Sequence, residues 1–141
     1  MPFYPHLLFA KNGEIYHIDG KKVLVMGGAY SIDKIYRIHN NLRWFPEEQP
    51  NQQDKDFCER NLETHHWKVD AVLSHTCPFK YIPRETFIPN IDQNSVDNTT
   101  EKWLDKIEDN LEYNKWFCGH YHTDKVIDKI QFLFNNIKLF K

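Results

Sequence analysis

The sequence contains no uninterrupted apolar run near the ~18 residues of a transmembrane helix, and Met1 is not followed by the basic segment of a signal peptide. The formal net charge at pH 7 is only −2, which argues against binding to nucleic acid or to an anionic membrane. The three cysteines are an odd number without C-x-x-C spacing, and Cys118 lies in an apolar run that suits a core thiol. These absences predict a cytoplasmic protein that binds neither nucleic acid nor membrane.

The composition favours one domain spanning residues 1–141. Apolar residues make up 40% of the chain and aromatic residues 15%, which is enough for a sizeable core. A chain of this length buries about two thirds of its unfolded surface. No internal repeat, linker or low-complexity segment indicates a second domain.

The first part of the chain predicts a β-hairpin followed by a long loop. Alternating residues at 14–18 and a buried-type run at 22–26 flank Asp19-Gly20, a strong two-residue turn. His17 falls on the polar face of the first strand, where we expect it to be exposed. Residues 29–49 show no clear period and are predicted as a loop that folds over the strand ends. Its large aromatic residues are too many for a purely solvated loop: Tyr30, Tyr36, Trp44 and Phe45.

Two helices are predicted from apolar residues at helical spacing. The first begins at Asn51 or Gln52, and His65 and His66 near its end would complement the helix dipole. The second begins in Asn98-Thr99-Thr100-Glu101, which has the spacing of a capping box. The buried faces are expected to comprise Phe57, Cys58 and Leu62 in the first helix, and Trp103, Leu104, Ile107 and Leu111 in the second.

Further apolar runs predict strands that end at His75 and near Cys118. Prolines at 78, 83 and 89 interrupt the segment after the first of these strands, which we predict as a loop. Residues 131–140 suggest a late hairpin about Asn135-Asn136 that covers the sheet. The alternation of strands and helices predicts an α/β protein with a mixed sheet and two main helices.

Histidines follow both of the predicted central strands. In Trp116–His122 an apolar run ends in a glycine, and His120 and His122 follow with one residue between them. Alternate side chains of an extended chain face the same side, so these imidazoles can converge while Tyr121 faces away. Open α/β sheets bind ligands at such strand ends, and imidazole is the commonest metal ligand. The alternative for each histidine, including His75, is a half-buried polar residue.

These residues resemble the calcineurin-like metallophosphoesterases. Val-Leu-Ser-His-x-x-Pro at 72–78 and Gly-His-x-His at 119–122 are similar to the last two metal motifs of that family. The segment Gly27–Lys34, with Arg37 and then Trp-Phe-Pro-Glu-Glu at 44–48, is similar to one bacterial branch of it. The resemblance extends from about Gly13 to the C terminus.

The resemblance implies the C-terminal half of a four-layer αββα sandwich that hydrolyses a phosphate ester. It implies two divalent metal ions (manganese, iron or zinc) that share a bridging carboxylate and hydroxide, and the hydroxide attacks phosphorus in line. His75 and His120 would bind one metal and His122 the other. Each would bind as a neutral imidazole, so affinity should weaken as pH falls below about 6.5.

The phosphorylated substrate would be recognised by side chains outside these ligands. Arg37 suits phosphate because its guanidinium is a planar fork. Its alternative role is an ion pair with Asp33, four residues away, and Asp33 and Lys34 carry the same two interpretations. Loop residues 29–49 and 77–97 would set the choice of substrate, and no residue is identified as catalytic.

Three further motifs of the family have no counterpart here: Asp-x-His, a Gly-Asp-x-x-Asp-like segment and Asn-His-Asp/Glu. They supply the bridging carboxylate, most ligands of the first metal and the histidine near the leaving group. Asp33, Asp70, Asp92 and Asp97 match none of them. We therefore expect an incomplete site that is poorly active alone, in a chain shortened by truncation, by a gene start at an internal methionine or by splitting of the protein.

The missing half would also supply strands, so the chain is expected to expose an apolar sheet edge and face. It would then self-associate or pair with the missing N-terminal half. Two alternative functions follow. One is a non-catalytic remnant or interaction module that pairs through its open sheet. The other is a mononuclear hydrolase in which three histidines bind one metal and leave a fourth position open.

Overall fold

The computed structural model describes residues 5–87 and 96–140, so Pro89 and Asp92 lie outside the described residues. The described strands are β1 (Ile15–Ile18), β2 (Lys21–Met26), β3 (Ala71–Ser74), β4 (Lys115–Cys118), β5 (Lys125–Ile127) and β6 (Ile130–Phe132). The described helices are α1 (Lys34–His39), α2 (Gln52–Thr64) and α3 (Thr99–Asn110). The predicted α/β class with a mixed sheet is confirmed, and no helix in these ranges is long and apolar enough to cross a membrane.

The strand order is β1-β2-β3-β4-β6-β5, with β2, β3, β4 and β6 parallel and the two outer strands antiparallel to their neighbours. Parallel strands end at the same edge of a sheet. Backbone hydrogen bonds continue past the strand ends there. The His75 N–H donates to the Met26 carbonyl at 3.0 Å, and the Gly119 N–H donates to the His75 carbonyl at 2.9 Å. The backbones that carry the predicted ligands are therefore joined.

Strands β1 and β2 form the predicted hairpin about Asp19-Gly20, and His17 is exposed as expected. Both turn residues have positive φ, 51° and 74°, as the primed hairpin turns require. Gly28 follows β2 with φ +90°, and a Cβ at this position would collide with the Glu48 carbonyl oxygen. The 3₁₀ turn Pro46–Glu48 can therefore pack against the end of β2 only because residue 28 is glycine.

The main core lies between one face of the sheet and helices α2 and α3. Trp116 in β4 is fully buried and donates its indole N–H to Ser74 Oγ at 2.7 Å. Phe57 is only half-buried. The other helix residues predicted for the core are buried: Cys58, Leu62, Trp103, Leu104, Ile107 and Leu111.

The opposite face of the sheet carries the alternate residues of the same strands. Val23, Ala71 and Phe117 are buried on this face, and Leu73 is half-buried. Phe140 of the C-terminal segment lies against Phe117, with ring centroids 6.2 Å apart. The sheet thus presents apolar side chains on both faces, as parallel sheets do when both faces are covered.

Helix α1 corrects the prediction of a loop over residues 29–49. None of its residues is buried, and Ile35 and Tyr36 are 71% and 64% exposed. The helix therefore lacks the buried apolar stripe by which the other two helices were predicted. The Arg37 side chain instead bonds Asp33, one helical turn earlier, with Nε 2.6 Å from Oδ2. Such an i,i+4 pair stabilises a short helix without burial.

The capping box predicted at the start of α3 is wrong. Asn98 has φ −100° and ψ 20°, and its side chain makes no capping hydrogen bond. Asp97 Oδ1 accepts from the Thr99 N–H at 2.9 Å instead, and Glu101 is buried at 2% exposure. The reciprocal box occurs on α2, where Asn51 is the N-cap and exchanges side-chain and backbone hydrogen bonds with Asp54.

The late hairpin is also misplaced in the sequence prediction. Strands β5 and β6 turn at Asp128-Lys129, where Asp128 has φ 52°, and they extend the sheet at its edge rather than covering it. Residues 133–140 contain no strand. Asp124 holds the Asn135-Asn136 turn, because its carboxylate accepts the N–H groups of Phe134, Asn135 and Asn136.

The start of α3 gives a test of the revised cap. Asp97→Ala should lower the free energy of unfolding by about 1 kcal/mol, because the Thr99 N–H loses its acceptor. Asn98→Ala is the matched control and should change it by only a few tenths, roughly. Urea denaturation measures both, and a larger loss for Asn98→Ala would restore the original capping box.

Candidate metal centre

His75 and His120 are in contact at the end of the parallel strands. His75 Nε2 lies 3.0 Å from His120 Nδ1, and the two rings meet edge to face with centroids 4.9 Å apart. The adjacent strands β3 and β4 place them there, since each histidine follows its strand and the Gly119 N–H bonds the His75 carbonyl. The structure thus brings together two of the three predicted ligands.

The separation of these two nitrogens suits a shared cation. Two imidazole nitrogens bound to tetrahedral zinc at about 2.0–2.1 Å lie about 3.3 Å apart. The 3.0 Å hydrogen bond between them needs only a small opening. Both nitrogens can bind one metal ion only when the ring protons lie on His75 Nδ1 and His120 Nε2.

The segment from Gly119 to His122 is a tight turn and not the extended strand that we predicted. His120 and His122 both have positive φ, 67° and 51°, and the Tyr121 N–H donates to the Gly119 carbonyl at 2.8 Å. Alternation therefore does not apply. The exposed His122 ring stacks on Phe134, with centroids 4.8 Å apart and planes at 12°.

Tyr121 points inward rather than away, contrary to the sequence prediction. Its hydroxyl lies 3.3 Å from Thr76 Oγ1, and its ring meets the His120 ring edge to face. Thr76 Oγ1 in turn donates to Glu101 Oε1 at 3.0 Å. A polar network of Tyr121, Thr76 and Glu101 therefore lies directly behind the two histidines.

The surroundings of the pair favour the neutral form of both histidines. Burial is the largest cause that lowers the pKa of His120, to about 4, and the neighbouring His75 and His122 add to it. Burial also lowers the pKa of His75, while the carboxylate of Glu48 acts in the opposite direction on both rings. Neutral imidazole is the form that binds metal ions.

Glu48 is a site residue that sequence reasoning did not single out. Its carboxylate accepts hydrogen bonds from the Ser31 hydroxyl and from Trp44 Nε1, the latter at 2.9 Å. Its backbone carbonyl accepts from the Ala29 N–H at 3.0 Å, which anchors it beside the end of β2. In the sequence, the one sign of this role was Trp44, four residues before Glu48, whose indole N–H can hold the glutamate carboxylate in place.

Of the four aspartates named in the sequence, the three that the structure describes have other partners. Asp33 pairs with Arg37, Asp97 caps α3, and Asp70 Oδ2 accepts from the Lys22 N–H at 2.8 Å near the start of β2. Among the described residues, no group of three or more His, Cys, Asp or Glu side chains is arranged to hold a metal ion. The two convergent imidazoles suit a metal ion, but the set of ligands around them is incomplete.

A cavity of about 480 Å³ opens beside His120 and His122. Its lining includes described residues of both loops that were expected to set the substrate choice: residues 30–33 and Arg37 from the first, and Ile82, Thr86, Phe87 and Val96 from the second. Arg37 lines it too while keeping its ion pair with Asp33, the alternative role considered for it. Lys34 instead lies over the Trp44 ring, 4.5 Å from its centroid.

The lowered pKa of His120 predicts a specific loss of stability in acid. Between pH 6.5 and about 4 the unfolded chain binds a proton that folded His120 excludes, so the free energy of unfolding falls as pH falls through this window. In metal-free protein, His120→Ala should reduce that fall by about 2 kcal/mol, allowing for partial exposure. Denaturation at a series of pH values measures it. His6→Ala, at an exposed position, should keep the parent slope, and equal slopes in all three proteins would contradict the assignment.

Comparisons with known proteins do not supply an independent assignment. No family model, no curated protein and no solved structure matches the chain. The geometry described above and the motif resemblance are therefore what any functional hypothesis for this chain must rest on.

Proposed function

We propose that this chain carries the C-terminal histidine ligands of a metallophosphoesterase site. The observation that supports this most directly is the 3.0 Å contact between His75 Nε2 and His120 Nδ1 at the end of two parallel strands. The pKa of both rings is lowered, which favours the neutral form, and both belong to segments similar to metal motifs of that family. Hydrolysis of a phosphate ester is the corresponding reaction.

A bound metal would supply the activated hydroxide and neutralise charge on the phosphate. The side chains of this chain have simpler tasks. His75 and His120 offer their lone pairs, and the Tyr121 network supports the His120 ring from behind. The His122 ring stacks on Phe134, which leaves its in-plane nitrogens available as ligands. Because a bridging carboxylate is lacking among the described residues, the chain alone should be a poor phosphatase.

The proposed αββα sandwich is supported by the two-sided sheet. Helices α2 and α3 form one outer layer, and the opposite face presents Val23, Ala71 and Phe117. In the full sandwich a second sheet would lie on that side, although this chain already leaves these three side chains at most 7% exposed.

Metal titration tests the proposal. Zinc added to the chelator-treated chain at pH 7.5 should bind at one equivalent, measured by calorimetry. His75→Ala and His120→Ala should each weaken binding by about tenfold or more, because each removes one of two convergent nitrogens. His6→Ala should bind like the parent chain. Absence of binding, or equal binding by all four proteins, would contradict the proposal.

His122→Ala separates this proposal from the mononuclear three-histidine hydrolase. If His75 and His120 hold the first metal, removing His122 should leave the first equivalent bound. If three histidines hold one metal, His122→Ala should weaken binding as much as His120→Ala does. The same calorimetric titration decides between them.

A second candidate function is an interaction module without catalysis, and the exposed apolar residues favour it. Leu8 and Phe9 near the N terminus are 88% and 79% exposed, and Ile137 and Leu139 near the C terminus are 98% and 74% exposed. Contiguous apolar side chains on a surface mark interaction sites.

Self-association that depends on these apolar residues would show that they are buried against a partner. In the interaction reading, the metal-free chain should form a concentration-dependent dimer by analytical ultracentrifugation. The double variant Ile137→Ser, Leu139→Ser should shift it towards monomer. A monomer at all micromolar concentrations would contradict pairing between copies.

A further inference from the structure

The cavity beside the histidines is lined by both apolar and polar side chains. Tyr30, Ile82, Phe87 and Val96 contribute to its walls. Its lining also includes Glu101, which is only 2% exposed, and whose Oε1 accepts from Thr76 Oγ1. An apolar cavity with a few fixed polar groups is the usual form of a site for a small organic ligand.

The second carboxyl oxygen of Glu101 has no hydrogen-bond partner in the structure of the described residues. A buried acceptor without a donor costs folding free energy, so buried polar atoms of this kind are rare and call for an explanation. Burial is also the largest cause that raises the pKa of Glu101, while hydrogen bonds from its own backbone and from Thr76 act in the opposite direction.

A purely structural role does not account for this oxygen. The sequence offered a helix-capping role for Glu101, and that capping box does not form. The hydrogen bond from Thr76 ties α3 to the end of β3, but it uses Oε1 alone. Oε2 remains as a buried acceptor on a residue that lines the cavity. Glu101 is linked to both histidines, because its partner Thr76 follows His75 in the chain and Tyr121, 3.3 Å from Thr76 Oγ1, follows His120.

We propose that Glu101 is a substrate-binding residue, whose free carboxyl oxygen accepts a hydrogen bond from an N–H or O–H group on the organic part of a phosphate ester. This inference rests on the proposed function for the phosphate end, which would lie at His120 and Arg37. An aromatic or aliphatic body lies between the apolar walls. The terminal torsion of a glutamate is soft, so the carboxyl group can turn its free oxygen towards the ligand.

Two isosteric, non-hydrolysable probes test this. (4-Aminophenyl)phosphonate and (4-methylphenyl)phosphonate differ only in whether the group opposite the phosphonate can donate a hydrogen bond. Calorimetry with the metal-loaded chain should show the amino compound binding about tenfold more tightly, which is the usual worth of one such hydrogen bond.

Glu101→Gln should abolish this preference while keeping the shape of the side chain. The Thr76 hydroxyl still donates to the amide oxygen, so the amide NH₂ faces the cavity and offers a donor where the ligand needs an acceptor. Glu112→Gln changes an exposed glutamate away from the cavity and should keep the tenfold preference. Thermal unfolding checks that both variants remain folded.

The outcomes separate this inference from the proposal on which it rests. A preference for the amino compound that disappears only in Glu101→Gln supports the role of Glu101. Equal binding of both probes to the parent chain, or a preference that survives Glu101→Gln, overturns it and leaves the metal-site proposal standing. Absence of binding by either probe also overturns it, and the zinc titration then decides separately whether the metal-site proposal holds.

Discussion

The candidate site depends on the parallel pairing of β3 with β4. Parallel strands end at one edge, and the hydrogen bond from the Gly119 N–H to the His75 carbonyl carries that pairing one step beyond the strands. The same edge receives the Pro46–Glu48 turn, which packs against Gly28. The contact between His75 and His120, the position of Glu48 and the cavity all follow from this one arrangement of backbone.

The sequence predicted the parts of the fold that are encoded by short-range patterns. Asp19-Gly20 between two apolar runs specified the hairpin, and the buried stripe from Trp103 to Leu111 specified α3. It failed where contacts between distant residues decide. Glu101 has the spacing of a capping residue, yet Thr76, far away in the chain, engages it. The alternation rule had Tyr121 facing away from His120 and His122, but His120 has positive φ and Tyr121 lines the same cavity as both histidines.

The same reasoning explains how much of the site could be predicted from the sequence. The family resemblance implied that His75 and His120 share one metal, and the sequence placed each of them after a buried apolar run, the kind that pairs in parallel. The position of His122 depended on the turn after Gly119, and that turn has no local signature apart from the glycine. Glu48 is oriented by Trp44, which is near it in the sequence, and also by Ser31, which is 17 residues away and which only the folded chain brings to it.

The most direct test of a metal site at His75 and His120 is ¹⁵N NMR of the imidazole nitrogens during zinc addition. The chain has eight histidines, which serve as internal controls for one another. At the first equivalent of zinc, His75 Nε2 and His120 Nδ1 should move together to the shifts of metal-bound nitrogen, while His6 and His17 stay unchanged. Movement of other histidines first, or of none, would contradict the assignment of the pair as metal ligands.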